Sequence, residues 1–162
     1  MRLPVLYQDE WLIAVHKPSG LVVHASEDAP LRDTVIRRLR SQTGRKVFPC
    51  HRLDRPTSGL LLFAFSGQLA RPVFEAFERR EIRKSYWVLC RGYLGEDQSE
   101  LDRPIDGRSA LTRFASLARF LVPVGVGRYP SSRYSLLEAG PVPGRRHQIR
   151  RHLKHFGHPV IG

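Results

Sequence analysis

Cysteine and negative charge are the scarce ingredients of this 162-residue chain. Its two cysteines, Cys50 and Cys90, stand alone, with none of the paired spacings that mark a structural zinc site or a disulfide framework. Such usage fits a reducing compartment, the cytoplasm. Acidic residues number 15 against 27 lysines and arginines, and no cluster of carboxylates is visible. That argues against a nuclease of the kind that clamps two metal ions between carboxylates. Long apolar runs are also missing. None approaches the roughly 20 residues of a membrane-spanning helix. Met1-Arg2-Leu3-Pro4 gives way at once to Gln8-Asp9-Glu10, unlike a secretory leader. Lysine is rare too, present only at positions 17, 46, 84 and 154, so the net charge of +12 is carried almost wholly by arginine. Arginine suits bidentate phosphate contacts and stacking on bases. A GC-rich genome would produce the same bias, and both explanations stand. An excess of this size implies a polyanionic partner or acidic surface and says nothing about fold.

Length bounds the chain to one domain, residues 1–162, with a real core. Val5 to Asp9 and Trp11 to His16 read as the strands of a hairpin, followed by the turn Lys17-Pro18-Ser19-Gly20. Leu31, Val35 and Leu39 recur every four residues before Gly44, the pattern of an amphipathic helix with a glycine stop. Leu60 to Phe65 reads as a buried strand. Ser66 to Ile82 is helical in character, with Pro72 best placed in the first turn of a helix starting near Arg71. Lys84 to Gly92 reads as a strand with Tyr86, Val88 and Cys90 on one face. Leu101 to Gly107 reads as loop; Leu111 to Ala115, Phe120 to Val122 and Arg133 to Ala139 as strands; Gly140 to Gly144 as a break. After it, Ile149, Leu153 and Phe156 share one helical face, and Arg146, Arg150 and Lys154 another. Strands and isolated helices without regular βαβ alternation predict α+β with a largely antiparallel sheet.

One carboxylate has unusual surroundings. In His51-Arg52-Leu53-Asp54-Arg55-Pro56-Thr57-Ser58-Gly59-Leu60-Leu61-Leu62, Asp54 lies between two arginines on a loop feeding a strand. Flanking cations favour its ionised form, and a loop held by a rigid sheet is a usual place for catalytic groups. A surface ion-pair cluster is the plainer alternative. The segment from Arg128 to Lys154 holds a single carboxylate, Glu138, among arginines and the aromatic Tyr129 and Tyr134. That composition fits a track for an RNA backbone better than an ordinary solvated face. His147, His152, His155 and His158 are crowded by arginines and joined by no cysteine or carboxylate, so no metal is expected.

The Asp54 segment resembles the active-site motif of the RluA-type pseudouridine synthases, H-R-L-D followed by T-S-G-L-L and a small residue. Three more segments extend the resemblance in order. Lys84-Ser85-Tyr86 is similar to the family's K-x-Y. Gly144 to Arg150 is similar to G-R-T-H-Q-I/L-R, with Arg146 where most branches carry threonine. Gly157 to Gly162 is similar to G-H-P-I-x-G. Gly127 to Tyr134 looks like the signature of the tRNA pseudouridine-65 branch (TruC type).

The resemblance implies a mixed, mostly antiparallel sheet of the pseudouridine-synthase type, with flanking helices and a central cleft. It implies isomerisation of a uridine in RNA, most simply tRNA, with Asp54 as catalytic nucleophile or base. Arg150 would support Asp54, Tyr86 would offer a face to the uracil, and Arg52 would fill the gap left by the flipped base. Arg128, Arg133, Arg145, Arg146 and His147 would meet RNA, with His51 fixing the loop. The reaction is an isomerisation, so it calls for no cofactor. The expected partner is RNA rather than DNA or membrane, and the expected state a monomer. No S4-type RNA-binding domain is read, since strands begin at Val5. Family members run past G-H-P-I-x-G into further strands, so this chain is expected to hold the catalytic domain without its C-terminal portion. The competing reading is a basic RNA-binding module or inactive fragment without catalysis.

Overall fold

The computed structural model describes residues 2–25, 33–95, 98–127 and 129–162. The chain organises into two compact units, residues 1–81 and 82–162, each with its own sheet.

In the first unit, β1 (Val5–Gln8), β2 (Leu12–Lys17), β3 (Phe48–Pro49) and β4 (Gly59–Ala64) form an antiparallel sheet in the order β1-β2-β4-β3. The expected hairpin is present. The carboxylate of Asp9 accepts from the amides of Trp11 and Leu12 at 2.8 and 2.7 Å, which closes its turn. In β2, Ile13 and Val15 point into the core, and by the same alternation so does Lys17. The register pairs Val15 with Leu61 and Lys17 with Gly59. On one face of β4, Leu61 and Phe63 are buried; on the other, Leu60 is 54% exposed, and burial resumes at Ala64, which packs beneath the helix that follows. Helix α1 (Val35–Thr43) buries Val35 and Leu39; Thr34 caps it and Gly44 ends it with φ 67°, a left-handed conformation that favours glycine. Leu31, expected on the same stripe, lies outside the described residues.

Helix α2 (Gly67–Glu78) corrects one expectation. Pro72 sits inside the helix and not in its first turn, because the helix starts earlier, where Ser66 Oγ accepts from the Leu69 amide at 3.2 Å. An interior proline costs a helix about 3 kcal/mol. Packing of Val73 and Phe77 against Cys50, Ala64 and Ala70 offsets that cost.

In the second unit, β5 (Tyr86–Arg91), β6 (Gln98–Asp102), β7 (Leu111–Val122) and β8 (Ser132–Val142) form an antiparallel sheet in the order β5-β8-β7-β6. Val88, Cys90, Leu101, Phe114, Leu137 and Ala139 build its core, and Leu153 of helix α3 (Gln148–His155) completes it. Phe156, expected on that apolar face, is exposed at the helix end.

Three more expectations change here. Leu101 and Asp102, expected at the start of a loop, end a strand over residues 98–102, because that segment pairs with 111–115. The two strands read between 111 and 122 are one, bent by an irregularity between Ser116 and Ala118 that hides its alternation. β8 also runs through Gly140 and Pro141 into Val142. β5 flanks β8 only as far as Ala139, and proline is tolerated where a strand has a side without a partner.

Candidate active site

Asp54 is half-buried on the loop between β3 and β4, directly after buried Leu53. Its carbonyl accepts from the Thr57 amide at 3.0 Å, folding the loop into a tight turn. A second turn, residues 17–20, is stitched to this one. Gly20 N–H donates to the Arg55 carbonyl at 2.9 Å, Arg55 Nε donates to the Gly20 carbonyl at 3.1 Å, and Ser19 Oγ donates to the Pro56 carbonyl at 2.7 Å. Beneath them lies Lys17, wholly buried, whose Nζ donates to the carbonyls of Leu21, Pro18 and Arg55 at 2.7, 2.9 and 3.1 Å. An ammonium has three protons, and these are three backbone acceptors. Burial lowers the Lys17 ammonium to about 8, opposed by the attraction of the Asp54 carboxylate.

The other end of the loop is held by His51. Its Nε2 accepts from the Leu62 amide at 3.1 Å, and its ring meets that of Phe77 at 4.8 Å. This matches the loop-fixing role expected of it. Cys50 next door is buried, and burial pushes its thiol up to about 11, away from reactivity. Arg52 is exposed. Asp54 is thus a carboxylate on a loop anchored at both ends.

Lys17 is the residue that sequence reasoning missed. The available signal was alternation: Ile13 and Val15 on the core face put Lys17 on that face as well, immediately before Pro18-Ser19-Gly20.

The remaining expected residues lie in the second unit. Tyr86 is half-buried on β5, opposite Ala139, against the core. Arg150 is half-buried on α3, and its Nη1 donates to the Gly162 carbonyl at 2.5 Å. Before α3, Arg146 and His147 are exposed, with His147 at φ 55°. Arg145 is half-buried, and its Nε lies 3.4 Å from the Ser109 carbonyl. Exposed Arg133 lies over the Tyr93 ring at 5.6 Å. Arg128 is outside the described residues.

Two buried polar residues hold this helix, and neither was expected to. Gln148 Oε1 accepts from the Arg145 amide at 2.8 Å, while its Nε2 donates to the Leu111 carbonyl and Thr112 Oγ1 at 2.8 and 3.1 Å. His152, one turn on, bonds Thr112 Oγ1 through Nδ1 at 2.9 Å and the Arg103 carbonyl through Nε2 at 3.0 Å. One ring nitrogen therefore ties α3 to β7 and the other ties it to the segment that follows β6. The basic N-terminal end of α3 is presented by this polar anchor.

The family model for RNA pseudouridylate synthase matches residues 11–155. The chain belongs to that family. Among its relatives, tRNA pseudouridine synthase C of Pectobacterium carotovorum subsp. carotovorum is 44% identical, over 99% of this chain and 47% of the relative. The Pasteurella multocida protein of the same name is 44% identical, over 100% of this chain and 73% of its own. That of Vibrio cholerae is 41% identical, over 99% and 72%. The chain thus spans about half the length of the first and nearly three quarters of the other two. The solved structure of human RNA Pseudouridylate Synthase Domain Containing 1 matches with TM-score 0.79 at 24% identity, over 99% of this chain and 67% of that one. Human RNA Pseudouridylate Synthase Domain Containing 4 gives 0.77 at 24%, over 98% and 67%. These two bear out the α+β fold of the pseudouridine-synthase type. Among the described residues, no helix is long and apolar enough to cross a membrane.

Proposed function

We propose that the protein isomerises a specific uridine of tRNA to pseudouridine, of the position-65 type, with Asp54 as its catalytic carboxylate. One observation carries this reading: a member of the family holds the aspartate of its H-R-L-D segment on a loop pinned by buried Lys17 at one end and His51 at the other. Pre-positioning a nucleophile removes part of the entropic barrier to its attack. The tRNA and the branch rest on relatives named tRNA pseudouridine synthase C at 40–44% identity.

In the reaction the bond from C1′ to N1 breaks, the uracil turns, and C5 joins C1′. The proton leaving C5 is balanced by one gained at N1, so the product is an isomer. A carboxylate near the sugar serves as nucleophile or base for these steps. On the family pattern, Arg150 supports the charge of Asp54 and Tyr86 offers a surface to the base. Arg52 takes the space left in the stack, since a stacked uridine must be extruded to react. Arg128, Arg133, Arg145, Arg146 and His147 meet the backbone. The protein acts as a monomer in the cytoplasm, on RNA and not DNA.

The test is tritium release from tRNA carrying C5-tritiated uridine, beside a transcript with cytidine at position 65. Release from the first and none from the second is the expected result. Release from both would refute the position. No release from any tRNA or ribosomal RNA, with binding intact, would favour the competing non-catalytic RNA-binding module.

A further inference from the structure

An open pocket of about 460 Å³ lies within the second unit, between the C-terminal half of α3 and the segment that follows β6. Arg151, Lys154 and His155 line it from the helix, and Arg103 faces them from the segment. None of these belongs to the residues carried over from the family motifs as RNA contacts. We propose that this pocket is a phosphate-binding site that takes a backbone phosphate of the RNA, an inference that rests on the RNA-directed function proposed above.

Its walls are fixed before any ligand arrives. The floor is His152, buried, with one ring nitrogen on Thr112 and the other on the Arg103 carbonyl, which ties the segment to the helix. The Arg103 amide donates to the Ala110 carbonyl at 3.1 Å. Between them the chain reverses in two residues. Asp106 and Gly107 have φ of 52° and 73°, and Ile105 and Arg108 exchange backbone bonds at 2.8 and 3.1 Å. That is the conformation Asp-Gly favours in a two-residue turn. The turn holds the Asp106 carboxylate against Arg151 in a fork, 2.8 and 2.9 Å, so this guanidinium is kept at the pocket wall and a phosphate competes with that carboxylate for it. Arg103 in turn donates through Nη1 to His155 Nε2.

Cations in the last turn of a helix also compensate its dipole, which is the plain explanation of Lys154 and His155. It does not account for Arg103, which comes from another segment, nor for Arg151, which an exposed carboxylate holds in place. Arg103, Arg151 and Lys154 together outweigh Asp106, so the pocket is electropositive. Guanidinium forks and an ammonium are the groups that bind phosphate, and the volume is that of a site for a nucleotide-sized ligand.

The experiment is tRNA affinity against salt concentration for the wild type, Arg103→Gln/Lys154→Gln and Asp106→Asn. Arginine 103 and lysine 154 are exposed, and asparagine accepts the left-handed conformation of residue 106, so both variants should fold; far-ultraviolet circular dichroism checks this. The double variant should bind several-fold more weakly, with a salt slope shallower by about one. Asp106→Asn, which removes the competing carboxylate, should bind more tightly with a steeper slope. A merely structural role for Asp106 would give the opposite sign. Wild-type affinity and slope in both variants would overturn the pocket and leave the RNA reading standing. Absence of salt-dependent tRNA binding by the wild type would overturn both. A calorimetric titration with inorganic phosphate separates the source: phosphate binding lost in the double variant, with tRNA binding unchanged, would make this a small-anion site and refute the RNA occupant.

Discussion

The first unit encloses one cation beneath its candidate loop, whereas the second keeps its cluster of cations at the surface. In the first, Lys17 is wholly buried and directs its three protons at backbone carbonyls. In the second, Arg146, Arg151 and Lys154 are exposed, and buried polar groups, Gln148 and His152, do the anchoring. A cation enclosed by its own backbone has nothing left to offer a ligand, so its effect is to hold a loop. An exposed cation gains little from a surface partner and is available to a polyanion. The difference separates positioning from binding, and salt reads it: the Debye length is about 8 Å at physiological ionic strength, and buried charges are screened much less than exposed ones.

The largest expected effect is at the residue the first unit positions. Asp54→Asn keeps the shape of the side chain and removes its charge, so C5-tritium release should vanish while tRNA affinity persists. Activity within a few-fold of wild type would end the assignment.

Within the second unit, Arg150→Ala and Arg145→Ala should part company. The first should reduce turnover far more than affinity. The second should weaken binding and lower its salt slope by about one. Salt titrations of binding beside single-turnover rates decide it, and equal loss of affinity with unchanged turnover would make Arg150 a backbone contact.

Arg52→Ala should slow reaction at a paired uridine more than at the same uridine opposite an abasic site. Unpairing and unstacking cost a few kcal/mol, and least where pairing is already lost. An identical penalty on both substrates counts against its filling the stack.

The smallest effect concerns pH. Lys17 holds its proton less tightly in the folded state, about 8 against an ordinary 10.5, because it is buried. Between those values the unfolded chain binds more protons, so the contribution of this group to unfolding free energy rises with pH. Urea titrations should therefore show the wild type gaining on Lys17→Met from pH 8 towards 10.5. A gap that is flat, or that closes in the other direction, contradicts a buried ammonium.

How much of this was legible in the sequence depended on how far away the deciding partner lay. Val35 and Leu39 with Gly44, or Tyr86, Val88 and Cys90, specify their elements through neighbours in the chain. β6 does not. Gln98-Ser99-Glu100-Leu101-Asp102 has one core residue, Leu101, and becomes strand through pairing with β7. Likewise Ala115 to Arg119 is weakly patterned, and its bulge shifts the alternation. Asp54 was legible because its order of residue types is distinctive. Gln148 and His152 were not, since their burial depends on Thr112, 36 and 40 positions away. Lys17 stands before Pro18-Ser19-Gly20 and so has the look of a turn residue, although the period of β2 puts it inside.

The contrast between the units comes down to one comparison: Lys17→Met beside Arg145→Ala/Arg146→Ala, with single-turnover tritium release at saturating tRNA and affinity both followed across salt concentration. Removing the ammonium leaves three carbonyls without their charged donor, at a cost of about 1–3 kcal/mol in stability. The rate should fall by about tenfold or more at every salt concentration, with wild-type affinity and salt slope. The double arginine variant should bind weakly with a shallow slope and react at a near wild-type rate once saturated. A Lys17→Met protein that reacts normally but binds poorly, or an arginine variant that stays slow at saturation, would contradict the division of labour.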